Sequence, residues 1–191
     1  MKKILVVSAL VIGAVAVHAD QPMNPAPMES APFQASLTPD ISVHPKTTEI
    51  RGFAINVWGE NPQSGLSLGI VNGSTGESRG LSWAVFNYDD SYTGVQWGLA
   101  NYSKQSFKGW QGGIFFLPCF ANVSDGTFTG LQEGMVNVSE NFTGLQVGIV
   151  NYSKNLHGVQ IGLANIAMNN GWFDQMPDKF AKGFPLFNWS F

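Results

Sequence analysis

The chain has 191 residues, 44 % of them hydrophobic and 12 % charged, with a formal net charge of −3. That acidic balance argues against a nucleic-acid surface, and the lone cysteine, Cys119, rules out an intrachain disulfide. The length suits a single domain held by packing and backbone pairing.

Residues 1–19 read as a secretory signal. Met1, Lys2 and Lys3 form a short positive start, residues 4–17 are largely apolar, and Val17-His18-Ala19 offers a cleavage site before Asp20. The stretch is too short and wrongly flanked for a permanent membrane helix. Its removal takes the formal charge to −5. Residues 20–38, interrupted by Pro22, Pro25, Pro27 and Pro32, read as a Pro-rich flexible arm. Within it the alternation Phe33, Ala35, Leu37 hints at a first strand ended by Pro39. Residues 39–191 form the β-repeat domain.

From Gly65 onward one phrase recurs seven times: Gly, apolar, Gln or Ser, apolar, Gly, apolar, apolar, Asn, with lapses. The copies start at Gly65, Gly80, Gly94, Gly109, Gly130, Gly144 and Gly158. So short a repeat is one supersecondary unit copied along the chain. Its side chains alternate in character, which predicts strands. One face is bulky and apolar, as in Leu145, Val147 and Ile149; the other is small and carries the amides Gln96, Gln111, Gln132, Gln146 and Gln160.

Polar joints such as Lys154-Asn155 and Ser124-Asp125-Gly126 suit β-hairpins. Flanking pairs such as Tyr102 and Phe107 would then touch across a turn and pin the register. The expected fold is all-β: an antiparallel meander closed into a small barrel of about eight to ten strands. The apolar face would meet lipid, with the five glutamines lining the interior. The alternative is a β-solenoid of roughly 14-residue coils, in which Asn72, Asn87, Asn101, Asn137, Asn151 and Asn165 stack into an amide ladder.

Glu133 is the anomaly. It occupies the apolar-face slot held by Trp83, Trp97, Val147 and Ile161 in other repeats, while Gly112 fills that slot one repeat earlier. A carboxylate buried in a dry core or facing lipid is costly. A bulge moving Glu133 inward, together with shielding by the irregular residues 117–129, is the expected resolution; a partner contact is the third explanation.

Several motif matches dissolve into the repeat. Gly65-Leu66-Ser67-Leu68-Gly69 fits a nucleophile elbow, but Ser67 fills the glutamine slot inside continuous alternation. Seven Asn-x-Ser/Thr sites arise mostly where the repeat's Asn meets a Ser-containing turn. Asp89-Asp90 reads most simply as a turn. No catalytic residue, metal-ligand cluster or cofactor motif emerges.

The chain ends Phe187-Asn188-Trp189-Ser190-Phe191. Phe187, Trp189 and Phe191 resemble the C-terminal sorting signal of bacterial outer-membrane β-barrels, read by the insertion machinery. The repeat, the segment 58–62 and the ending Phe-Pro-x-x-Asn-Trp-Ser-Phe together resemble an uncharacterised bacterial family of exported surface-repeat proteins. That resemblance implies export and a β architecture, and carries no activity. The expected role is a structural, adhesive or narrow-pore protein of the outer membrane, with membrane lipid, the insertion machinery and an envelope or surface component as partners. A soluble exported binding module in the periplasm or on the cell surface is the alternative, and an esterase-like enzyme a third reading.

Overall fold

The computed structural model describes residues 29–113, 118–171 and 183–191. The expected signal at residues 1–19 lies outside them. The described chain is β throughout: β1 Ser30–Thr38, β2 Ile41–Ser42, β3 Glu49–Asn61, β4 Ser64–Trp97, β5 Ala100–Gly112, β6 Ala121–Glu133, β7 Val136–Ala167 and β8 Gly183–Ser190. They form one sheet in the order β2-β1-β3-β4-β5-β6-β7-β8.

The expectation of all-β structure holds, but the antiparallel meander is corrected. Each successive pair from β1/β3 to β6/β7 is parallel and almost in register with the repeat: Asn87 lies beside Asn101, Asn101 beside Asn122, and Gly130 beside Gly144. The sheet order is linear. This is the coiled arrangement of the alternative reading, with β4 and β7 each winding through more than one repeat. The reason lies in the side chains. Parallel in-register stacking sets Gln on Gln from Gln96 to Gln160 and Asn on Asn from Asn87 to Asn165, so these amides meet their own kind one strand spacing away. A hairpin would oppose unlike residues and leave those amides unpaired.

Side chains of alternating residues fill the inside of each coil. Tyr92, Phe107, Phe128 and Phe142 stack ring on ring, with centroids 5.8, 5.0 and 5.2 Å apart and planes within 12°. Leu156 and Ala167 continue this buried column. Phe107 therefore meets its equivalents in the neighbouring coils, rather than Tyr102 across a turn; Tyr102 points to the outside. A column of glycines runs alongside. Gly130 has φ +137° and a β-carbon there would collide with the Gly109 carbonyl. Only glycine combines that backbone with so close an approach.

The two ends are closed differently. β1 begins inside the stretch expected to be a flexible arm, with a register shift around Pro32, and pairs in parallel with β3. Two-residue β2 then folds back antiparallel on β1. At the other end β8 lies antiparallel to the last coil, Val159 opposite Trp189 and Ile161 opposite Phe187. A two-residue edge strand at one end and a strand containing Pro185 at the other offer poor templates for further pairing.

Candidate functional site

Beside the aromatic column, the inside of the coil carries a row of glutamines hydrogen-bonded to one another. Gln96, Gln111, Gln132, Gln146 and Gln160 all have no solvent exposure. Gln160 donates to Gln146 at 2.8 Å, Gln146 to Gln132 at 2.8 Å, Gln132 to Gln111 at 3.3 Å and Gln111 to Gln96 at 3.0 Å. They face the interior as expected, but touch one another in a filled core, so they border no lumen.

A second ladder marks the corner of each coil. Asn87, Asn101, Asn122, Asn137 and Asn151 each donate to the next asparagine, at 2.8 to 2.9 Å. Each also donates to a main-chain oxygen of the following coil, as Asn137 does to Val147 at 2.9 Å. The asparagines satisfy the backbone where the strand bends. Asn72, Asn101, Asn122, Asn137, Asn151 and Asn188 are buried, so the glycosylation matches at these positions are closed to modification in the folded chain. Ser67 is likewise buried, its hydroxyl accepting from Asn56 at 3.2 Å.

Asp89 is the residue the sequence reading missed. It is 2 % exposed, accepts from Gln96 at 2.9 Å and from Ser103 at 2.8 Å, and is no surface turn. Burial pushes its carboxyl up to about 7, partly opposed by those two hydrogen bonds. A signal was present. Asp89 stands two residues after a ladder asparagine, where Ser74, Ser103, Ser124, Ser139 and Ser153 stand in other coils, and all of these are buried.

With the polar groups inside, the apolar face is turned outward. Four neighbouring rows run along the coil axis. The first includes Leu66, Val95, Trp110, Leu131 and Leu145; the second Leu68, Trp97, Gly112, Glu133 and Val147. The corner row follows with Ile70, Val85, Leu99, Met135 and Ile149, and then comes Phe86, Ala100, Ala121 and Val136. Ile55, Ile70, Val85, Ile149, Ile161 and Leu163 are each more than two-fifths exposed. Among the described residues of these rows Glu133 is the sole ionisable group.

Tyr88, Tyr102 and Tyr152 border this surface. Tyr88 donates to Glu60 at 2.8 Å and Tyr102 to Asp125 at 2.6 Å. The opposite edge of the coil is charged, with Lys154 paired to Glu140 at 2.6 Å and Lys104 to Asp90 at 3.8 Å. The section is thus amphipathic, apolar round one corner and charged at the other.

Glu133 does not turn inward. Its side chain is exposed and keeps the outward register of the repeat, opposite Val147, so the expected bulge is corrected. Exposure removes the burial penalty that the bulge was meant to avoid. Beside it opens a cleft of about 910 Å³ lined by Trp97, Trp110, Pro118, Met135, Val147 and Ile149 among others. Cys119 borders the cleft but is buried, its sulfur 3.2 Å from the Ala121 carbonyl, and burial pushes its thiol up to about 11.

At the C-terminal end Asn188 enters the core and donates to Gln160 at 3.1 Å. Phe187 and Trp189 alternate to the outside with their rings 5.5 Å apart, and Phe191 stands beyond the strand, edge-on to His157 at 6.0 Å. No group of His, Cys, Asp or Glu among the described residues is arranged to hold a metal. Compared with known proteins, the chain matches no family model, no curated protein and no solved structure.

Proposed function

We propose that this chain is an exported, non-catalytic surface-repeat protein that seats its apolar corner in a lipid surface of the bacterial envelope, with a structural or adhesive role. One observation carries the reading: outward rows of Leu, Ile, Val and Trp interrupted by a single charge, bordered by tyrosines and opposed by a charged edge. An apolar surface this extended is a recognition surface. Tyrosines at its border have the amphipathic character favoured at a membrane–water interface, where the ring is dry and the hydroxyl wet.

The membrane reading no longer needs a barrel. A barrel must close and turn its apolar face outward; here the coil pairs its backbone and its Gln and Asn ladders internally and presents the same face along its axis. Phe187 and Trp189 extend that face at the terminal strand, which is compatible with their resemblance to a sorting signal.

Flotation of the mature chain with phosphatidylethanolamine/phosphatidylcholine vesicles tests the proposal. The chain rises with the vesicles, and the double variant Ile149→Lys/Leu163→Lys stays in the dense fraction while keeping its β-type circular dichroism. A mature chain that remains in the dense fraction overturns it in favour of a soluble exported binding module, most directly if it sediments as a dimer.

A further inference from the structure

We infer that Arg79, Thr93 and Lys108, which form one border of the apolar corner, bind the phosphate headgroups of an anionic phospholipid. The inference rests on the lipid seat proposed above and names the lipid which that seat selects. It starts from the residue before each glycine of the column. Gly94 packs on Gly80, and Thr93 pairs with Lys108. Arg79, Thr93 and Lys108 therefore stand in one row on consecutive coils. Each lies two residues from the first apolar row, at Leu81, Val95 and Trp110 respectively.

All three side chains are exposed. Arg79 donates through Nε to Ser64 at 3.0 Å, and its guanidinium enters no ion pair among the described residues, not even with Glu77 two positions earlier. Lys108 enters none either. Arg51, before Gly52 in the same row, is already held by Glu49 at 2.8 Å. No acid stands in this row among the described residues.

Two strand spacings, about 9 to 10 Å, separate Arg79 from Lys108 at the backbone. Two long side chains can close that gap over the Thr93 hydroxyl between them. A guanidinium, a hydroxyl and an ammonium then offer three donors to phosphate oxygens. Their aliphatic stems can lie along the apolar row while the charged heads stay in the headgroup layer. The tyrosine border on the other side carries acids instead, Glu60 and Asp125. Net charge argues the opposite way and so makes the lipid preference diagnostic. With Lys2 and Lys3 removed the chain carries −5 rather than −3, and charge alone would keep it off an anionic surface.

Flotation of the mature chain at low ionic strength, with phosphatidylcholine vesicles against phosphatidylcholine/phosphatidylglycerol vesicles, tests the inference. The chain should partition about tenfold more onto the second, each basic side chain adding about fivefold against the repulsion of the net charge. Arg79→Gln/Lys108→Gln should lose that preference. Lys104→Gln/Lys154→Gln, the same charge loss at the opposite edge, should keep it. The comparison on the unaltered chain needs no variant and so holds whatever the substitutions do to folding. Equal partition onto both vesicles, or equal loss of preference in the two double variants, overturns the inference and leaves the lipid seat standing. A chain that rises with neither vesicle overturns the seat and this border together.

Discussion

Gln96 donates its side-chain amide to the Asp89 carboxylate at 2.9 Å, and this bond ends a chain of amides that starts at the opposite end of the coil. Asn170 donates to Asn188 at 2.7 Å, Asn188 to Gln160, and each glutamine to the one before it. The asparagine ladder points the other way, each residue donating toward the C-terminal end. The two rows of amide dipoles thus oppose each other across one core. A carboxylate, which only accepts when ionised, closes the glutamine row without leaving a donor unmatched.

That arrangement makes stability depend on pH through Asp89. Its carboxyl ordinarily ionises near 3.8 and here does so near 7. The native state therefore holds a proton that the unfolded chain has released between those values. Stability is greatest below the unfolded value and falls as pH rises toward 7, by an upper bound of about 4 kcal/mol. Thermal unfolding from pH 4.5 to 8 should show a melting temperature that declines with pH. Asp89→Asn should flatten the decline and melt higher than the unaltered chain at pH 8.

Gln132 makes three side-chain hydrogen bonds at the middle of its row. Its oxygen accepts from Gln146 at 2.8 Å and from Ser139 at 2.9 Å, and its nitrogen donates to Gln111. Gln132→Leu keeps the volume but strands three buried polar groups, which predicts a loss of about 3 to 5 kcal/mol in chemical denaturation. Loss below about 1 kcal/mol would mean that the ladder contributes order without stability.

The repeat made much of this legible. Alternation gave the two faces, and the spacing of Asn72, Asn87 and Asn101 already described a ladder if the coils were parallel. Pairing direction was not legible, because a joint such as Lys154-Asn155 turns a hairpin as readily as it turns a coil. Its resolution lies in contacts more than ten residues apart, where like amides meet. Asp89 was hidden by its neighbour Asp90: two acids in a row look like a solvated turn, whereas the serine column of the other coils marks the first as internal. Glu133 was legible as an exception, but its outward direction follows from the coil and from nothing local.

Phe128 tests the aromatic column. It lies between Phe107 and Phe142 with no solvent exposure. Phe128→Ala opens a cavity between two rings and should cost about 3 to 5 kcal/mol. Phe128→Leu, equivalent to Leu156 in the same column, should cost less than half of that. Equilibrium urea unfolding of both variants distinguishes stacking from simple burial.

The glycine column yields a paired prediction. Gly130 and Gly76 both adopt positive φ, +137° and +60° respectively, but only at Gly130 would a β-carbon meet backbone. Around Gly76 nothing lies within 4 Å. A left-handed backbone alone costs an alanine about 1 kcal/mol, so Gly76→Ala should lower stability by roughly that amount. Gly130→Ala adds a collision with the Gly109 carbonyl at the centre of a parallel stack, where neither coil can move without shifting its own ladders. It should cost several times as much, and its urea midpoint should fall well below that of Gly76→Ala. Equal midpoints would show that the coils can separate locally, and that the close approach of the glycines is not what sets their spacing.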